Sequence, residues 1–267
     1  MGRKVRREKV EKEISKGIIE SYMKEFIDNL EVDVAIVGAG PSGLICGYYL
    51  AKKRIKVAIF ERSLRVGGGM PGGGMMFNKI VIQKEAKEIL DEFEITLKEY
   101  ENGLYIANSI ETISSFAYRT LKTGAKIFNL ISVEDVVIRE DKINGVVLNW
   151  SPVQISKLHV DPLVVLSNYV VDATGHDCEV CRIVEKKVGG IEVKGEKSMW
   201  AEKGEKEIIG NTKQVYPGLI VCGMAANAFY GSPRMGAVFG GMLLSGKKAA
   251  ELVEREVLNV KNNRRNK

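Results

Sequence analysis

The stretch Asp33-Val-Ala-Ile-Val-Gly38-Ala-Gly40-Pro-Ser-Gly43 decides the fold. Its apolar run is short enough to be a buried strand, and Gly38, Gly40 and Gly43 have the G-x-G-x-x-G spacing of a turn into a helix that continues to about Lys53. Lys56–Phe60 reads as a second buried strand. It ends at Glu61, 18 residues after Gly43, close to the roughly 20 expected of a carboxylate that bonds adenosine ribose hydroxyls. The three glycines serve different ends. Gly38 makes the tight turn, Gly40 lets main chain approach a pyrophosphate, and Gly43 lets helix and strand pack closely. The helix N-terminus stabilises phosphate charge. Arg62 beside Glu61 leaves room for a 2′-phosphate, but the acid argues for an unphosphorylated ribose. The fold expected is α/β, a doubly wound Rossmann-like dinucleotide-binding fold.

Working outward, residues 1–30 carry Val10, Ile14, Ile18, Tyr22, Phe26 and Leu30 at helical spacing, an amphipathic helix whose apolar stripe needs a cover. Residues 31–260 read as a single dinucleotide-binding domain, and 261–267 as a basic tail. Val66–Met76 holds six glycines in the eight residues from Gly67 to Gly74. So much backbone freedom is costly to order, which favours a ligand-approaching loop over a flexible surface connection. Helices are expected at about 82–93 and 109–123. A hairpin, Val133–Arg139 with Lys142–Trp150, turns at Glu140-Asp141 and supplies an inserted antiparallel β piece. A strand at 163–171 ends in Asp172-Ala-Thr-Gly-His176. A polar segment near 185–213 precedes a last strand, Gly218–Gly223, and a helix from about Ala237 to Asn259.

The chain has 267 residues, 45% of them hydrophobic and 28% charged, which excludes disordered and fibrous classes. Its formal charge of +6 is concentrated at the ends: residues 1–9 carry five basic side chains against Glu8, and residues 261–267 carry four. A body without interleaved basic and aromatic residues argues against nucleic acid. No apolar run reaches the roughly 20 residues that span a bilayer, and the N-terminus lacks a signal-peptide core, so no membrane partner and a cytoplasmic location are expected. Four scattered cysteines fit a reducing compartment.

The two histidines, His159 and His176, lie at the ends of one strand region with Asp161, Asp172, Asp177, Cys178 and Cys181 nearby. Imidazole and carboxylate with open positions suit a divalent metal such as iron, and the i, i+2 spacing of His159 and Asp161 puts both on one face of an extended segment. Two alternatives remain: a zinc site from His176, Cys178 and Cys181, which lacks a fourth ligand, and a redox use of the Cys-x-x-Cys. Without either, the cysteines are small buried residues. Arg234, in a run of small residues before a helix, is arranged to bind a carboxylate or phosphate, or else to pair with a neighbouring acid.

Gly38–Gly43, Glu61, Gly67–Gly69, the Asp172–Gly175 strand end and the Gly218–Gly223 strand resemble FAD-dependent oxidoreductases of the glutathione-reductase type. Those enzymes generally end the late strand in Gly-Asp, where this chain has Gly223-Met224. A more specific resemblance rests on Glu61-Arg62 with the GGGM loop, His159-Val-Asp161-Pro, Ala173-Thr-Gly-His-Asp177, and Arg234-Met-Gly236 followed by Leu-Ser-Gly. It is to the ADP-thiazole synthase family of thiamine biosynthesis and covers about Glu20 to Val253.

That resemblance implies an enzyme for which NAD is a consumed substrate. NAD loses nicotinamide, its ADP-ribose sugar opens and isomerises to a ketone, glycine condenses with it, sulfur is added, and ring closure gives the ADP-linked thiazole carboxylate. It implies that Gly38, Ala39, Gly40, Ser42, Gly43, Glu61, Arg62, Gly69, Val133, His159 and Met224 hold the dinucleotide. Asp161 and His176 are implied as Fe(II) ligands, His159, Asp161 and His176 as the catalytic group, and Arg234 as the site for the glycine carboxylate. Fungal and plant members carry at position 159 a cysteine that gives up its sulfur once. His159 has no sulfur to donate, so the chain resembles the archaeal branch that uses free sulfide and turns over repeatedly. The family also implies a homo-octamer with sites shared between subunits.

Overall fold

The structure, a computed structural model, describes the backbone of residues 9–265 and the side chains of residues 9–257. It divides into two units, Met1–Glu31 and Val32–Lys267. The first contains α1 (Val10–Asp28), on which Ile14, Ile18, Ile19 and Ile27 are exposed. The basic residues before Lys9 lie outside the described residues.

The strand expected at Asp33 is β1 (Glu31–Val37), followed by α2 (Pro41–Lys52) and β2 (Val57–Glu61). β1 and β2 run parallel, with Val34 beside Val57 and Val37 beside Phe60. Pro41 opens α2, where its fixed φ suits the first turn and its missing N–H has no partner to lose. Leu44, Ile45 and Leu50 of α2 are fully buried.

The next elements are β3 (Lys79–Gln83), α3 (Lys87–Glu92), β4 (Leu97–Glu99), β5 (Leu104–Asn108), α4 (Ser109–Lys122) and β6 (Lys126–Asn129). The helix expected at 82–93 needs correction: only Lys87–Glu92 is α-helical, after a 3-10 turn at Lys84–Ala86. Ile80 and Ile82 alternate inward on β3, which pairs antiparallel with β5, so strand periodicity and tertiary pairing prevail there. β3, β5 and β4 form a small second sheet that local sequence patterns do not announce. α4 starts as expected, because the Asn108 side chain accepts hydrogen bonds from the N–H groups of Ile110 (2.9 Å) and Glu111 (3.2 Å).

β7 (Ile131–Arg139) and β8 (Lys142–Trp150) make the expected hairpin, with Glu140 and Asp141 both at positive φ, as a primed turn requires. Then come α5 (Ser151–Ile155), β9 (Leu163–Asp172), α6 (Glu179–Lys187), α7 (Ala201–Asn211), β10 (Lys213–Tyr216), β11 (Leu219–Val221), α8 (Met224–Tyr230) and α9 (Gly240–Arg265). α9 continues in backbone through residues 261–265 of the expected tail, whose side chains lie outside the described residues.

The main sheet has the order β10-β11-β9-β1-β2-β6, with β8 joined to β9 and β7 to β8. β11–β9, β1–β2 and β2–β6 are parallel, while the β7–β8 hairpin is the antiparallel insertion. This is the Rossmann-like α/β fold. Its core gathers Val34, Ile36 and Ile59 of the sheet with Leu44 and Ile45 of α2 and Leu243 and Val253 of α9. No helix among the described residues is long and apolar enough to cross a membrane.

Candidate active site

A cleft of about 680 Å³ opens past the carboxyl ends of β1, β2 and β9, where open α/β sheets bind ligands. Its glycine-rich end is assembled from β1, α2 and β2. Gly38 turns the chain at φ +102°, and a Cβ there would sit 2.5 Å from the Ala173 carbonyl oxygen. A Cβ on Gly43 would overlap the Gly38 carbonyl, so Gly43 is a packing residue and does not line the cleft. Gly40 and Gly69 differ: nothing lies within 4 Å of where their Cβ atoms would be, and both line the cleft. The N-terminus of α2 has no side-chain cap, which leaves its first-turn N–H groups for an anion. Ser42 is in that turn, and its hydroxyl donates to Met242 O (2.9 Å), so its main-chain N–H is what it offers a ligand.

Glu61 is buried on the cleft wall. Its Oε2 accepts from Ala39 N and its Oε1 from Ser63 N, both at 2.8 Å. Each oxygen keeps a second acceptor position, the arrangement for two vicinal hydroxyls. Arg62 next to it pairs with Asp177 (3.0 Å) and with Glu179. Burial works against the Arg62 charge, but the two acids outweigh it and hold the guanidinium above its ordinary pKa. Burial likewise keeps the Glu179 carboxyl above the usual carboxylate range despite Arg62. These pairs tie the end of β2 to the turn that carries His176. The glycine-rich loop also faces the cleft through Gly68, Gly69, Gly73 and Gly74, and Gly67 N donates to Ala39 O (2.8 Å). Val133 and Met224 add apolar wall.

The cleft is also lined by His176, on a 3-10 turn (Gly175–Asp177), and by Arg234. Glu196 lies between them. Its oxygens are 2.7 and 2.8 Å from His176 Nδ1, and Oε2 is 3.8 Å from Arg234 Nε. Sequence reasoning misses Glu196, which sits in a Lys/Glu-rich stretch with no local signature.

His159 and Asp161 are not brought into this cleft. Both are exposed, on the segment 156–162 between α5 and β9. Around them Ile155, Leu158, Val160, Leu163 and Leu166 are exposed as well. His176 also stands apart from Cys178 and Cys181, so the alternative zinc set does not assemble. The two cysteines instead cluster with Asp172, with potential ligand atoms within 4.8 Å and all three residues buried. Asp172 is already hydrogen-bonded: Oδ1 accepts from Thr174 N (3.0 Å) and Oγ1 (2.6 Å), and Oδ2 from Cys181 N (2.9 Å). Burial pushes the Cys181 thiol up. The carboxylate thus organises the start of α6. All four cysteines are free and buried.

Fold and cleft together define a protein of the Rossmann-like dinucleotide-binding class. Within that class the chain belongs to the Thi4 family, whose model matches residues 15–239. It is 58% identical over 238 residues to the thiamine thiazole synthase of Pyrococcus furiosus, covering 89% of this chain and 94% of that one. To the thiamine thiazole synthase of Methanothermobacter thermautotrophicus it is 55% identical over 246 residues, covering 90% and 95%. The crystal structure of Thermovibrio ammonificans THI4 superposes with a TM-score of 0.90 at 50% identity, covering 91% of this chain and 96% of that one.

Proposed function

We propose that the protein is a cytoplasmic thiazole synthase of thiamine biosynthesis that builds the ADP-thiazole carboxylate from NAD, glycine and free sulfide, with Fe(II) and with many turnovers per chain. The observation that carries this reading is one cleft holding a ribose-competent carboxylate, an uncapped helix N-terminus, an imidazole and a guanidinium. Glu61 accepts from the adenosine ribose hydroxyls, and the α2 N–H groups hold the pyrophosphate. The dinucleotide's far sugar then points toward His176 and Arg234. Arg234 pairs with the glycine carboxylate and orients its amine toward the opened sugar.

The donor set fits a ferrous ion in part. His176 can offer its Nε2, because Nδ1 is engaged by Glu196. Asp161, exposed on its own segment, would reach the metal from a neighbouring copy. The apolar residues flanking it support such a contact, and with it the homo-octamer with shared sites. Fe(II), when bound, supplies a Lewis-acidic centre with open positions beside the substrate.

Burial of the thiols bears on the sulfur source. All four cysteines are buried, and position 159 is histidine, so no protein thiol faces the cleft as a donor. Met224 stands where a flavin-binding carboxylate would be, which disfavours the FAD-dependent oxidoreductase reading. The test is analysis of small molecules released by denaturing protein incubated anaerobically with NAD, glycine, sulfide and Fe(II). The expected result is nicotinamide release and an ADP-thiazole carboxylate from a colourless protein. Recovery of FAD with NAD untouched would overturn the proposal.

A further inference from the structure

We infer that Glu196 is a positioning residue, one that fixes His176 in the tautomer whose Nε2 lone pair faces a metal and supplies the negative charge behind it. The inference rests on the metal reading above. Residues 188–200 form a strap of chain that contains no helix or strand. Lys194 N donates to Phe229 O (3.2 Å), Lys197 N to Ser232 O (3.1 Å), Arg234 N to Lys197 O (3.3 Å) and Trp200 N to Arg234 O (3.1 Å). Residues 194–200 are thereby laced alongside 229–234. Glu196 is set in the middle of that lacing, beneath the side chains of both His176 and Arg234.

Burial separates the three. The Glu196 side chain is 12% exposed, against 52% for His176 and 56% for Arg234. The carboxylate is thus the fixed member, and the two side chains that face the cleft lean on it. Its oxygens lie 2.7 and 2.8 Å from His176 Nδ1. An ionised carboxylate only accepts, so Nδ1 must carry the proton, and in the neutral ring Nε2 is left with its lone pair. A ligating histidine backed in this way by a carboxylate is oriented and held in one tautomer. The same Oε2 that approaches His176 also faces Arg234 Nε across 3.8 Å, an ion pair longer than a hydrogen bond. Removing the carboxylate would leave the Arg234 guanidinium without this counter-charge, which disfavours a divalent cation beside it.

The experiment starts on metal-free protein. With two histidines in the chain, the 15N imidazole signals of His176 are identified by comparison with His159→Gln. At about pH 8.5, above the imidazole's usual range, the parent protein shows His176 protonated on Nδ1. Glu196→Ala moves the proton to Nε2, whereas Glu196→Gln, whose carbonyl still accepts, keeps it on Nδ1. In a second measurement, Co(II) affinity falls about 10–100-fold in Glu196→Ala, while ADP-ribose affinity stays within about twofold. An Nδ1–H tautomer retained in Glu196→Ala, with unchanged Co(II) affinity, would overturn the inference. Should His176→Ala also leave Co(II) affinity unchanged, it is the metal reading that fails. The tautomer result, obtained without metal, still decides what Glu196 does.

Discussion

At the glycine-rich end of the cleft, Ala39, Gly43 and Glu61 are buried within a single β-α-β unit, Ala39 N donating to Glu61 and Gly43 packed on the Gly38 carbonyl. In a second region of the cleft, His176 and Arg234 are more than half exposed, come from distant parts of the chain, and share one carboxylate from a third segment. The first end is part of the core, and changing it disturbs folding and binding together. In the second region the His176 and Arg234 side chains can be altered with less disturbance of the core, so changes there bear mainly on chemistry. Asp161 does not line this cleft in its own chain, which is why the proposed metal site draws on a second copy.

The largest effect expected from this contrast is on activity. His176→Ala should abolish thiazole formation while ADP-ribose binds normally and stability falls by only about 1 kcal/mol, the loss of one hydrogen bond to Glu196. Steady-state assays beside a denaturation curve check both halves, and normal turnover would break the contrast. Gly43→Val should do the reverse, lowering stability by about 2–3 kcal/mol through overlap with the Gly38 carbonyl. Gly40→Ala is its control: with open space around the added methyl, urea unfolding should shift little while NAD affinity drops. Equal destabilisation by both would refute the division between packing and ligand-facing glycines.

A smaller effect is expected at Arg234. Replacing it by lysine keeps the charge but loses the planar fork, so the glycine KM should rise about tenfold with little change in Tm. The smallest lies behind α2, where Glu92 receives hydrogen bonds from Tyr49 (2.6 Å), Tyr48 (3.0 Å) and Lys52. Burial opposes the Glu92 charge, but these donors win and hold its carboxyl below the usual range. A lowered folded value means that the contribution to stability is complete above the ordinary carboxylate pKa, about 4.3. It is lost as pH falls from there through the folded value. Thermal midpoints measured from about pH 6 downward should therefore fall more steeply in the parent than in Glu92→Gln.

The same contrast governs what can be read from the sequence. Gly38, Gly40, Gly43 and Glu61 lie within one local unit, so spacing alone exposes strand, turn, helix and acid. The hairpin at Glu140-Asp141 is equally local. The end of β3 reads as helix because its strand character depends on pairing with β5, more than twenty residues later. Glu196 is invisible for a related reason: its meaning comes from main-chain pairing between 194–200 and 229–234, and a glutamate among lysines carries no mark of that. Clustering in the sequence groups Asp161 with the two histidines, but the choice of Asp161 and His176 as the ligand pair comes only from the family resemblance, and one chain by itself does not bring them together.

Whether sulfur comes from solution, with the chain surviving each cycle, is decided by reaction with 34S-labelled sulfide, NAD, glycine and Fe(II), after which product and intact protein are weighed. The expected result is a thiazole carrying the label, in molar excess over chains of unchanged mass. Unlabelled thiazole at no more than one per chain, from a protein lighter by the mass of hydrogen sulfide, would contradict it.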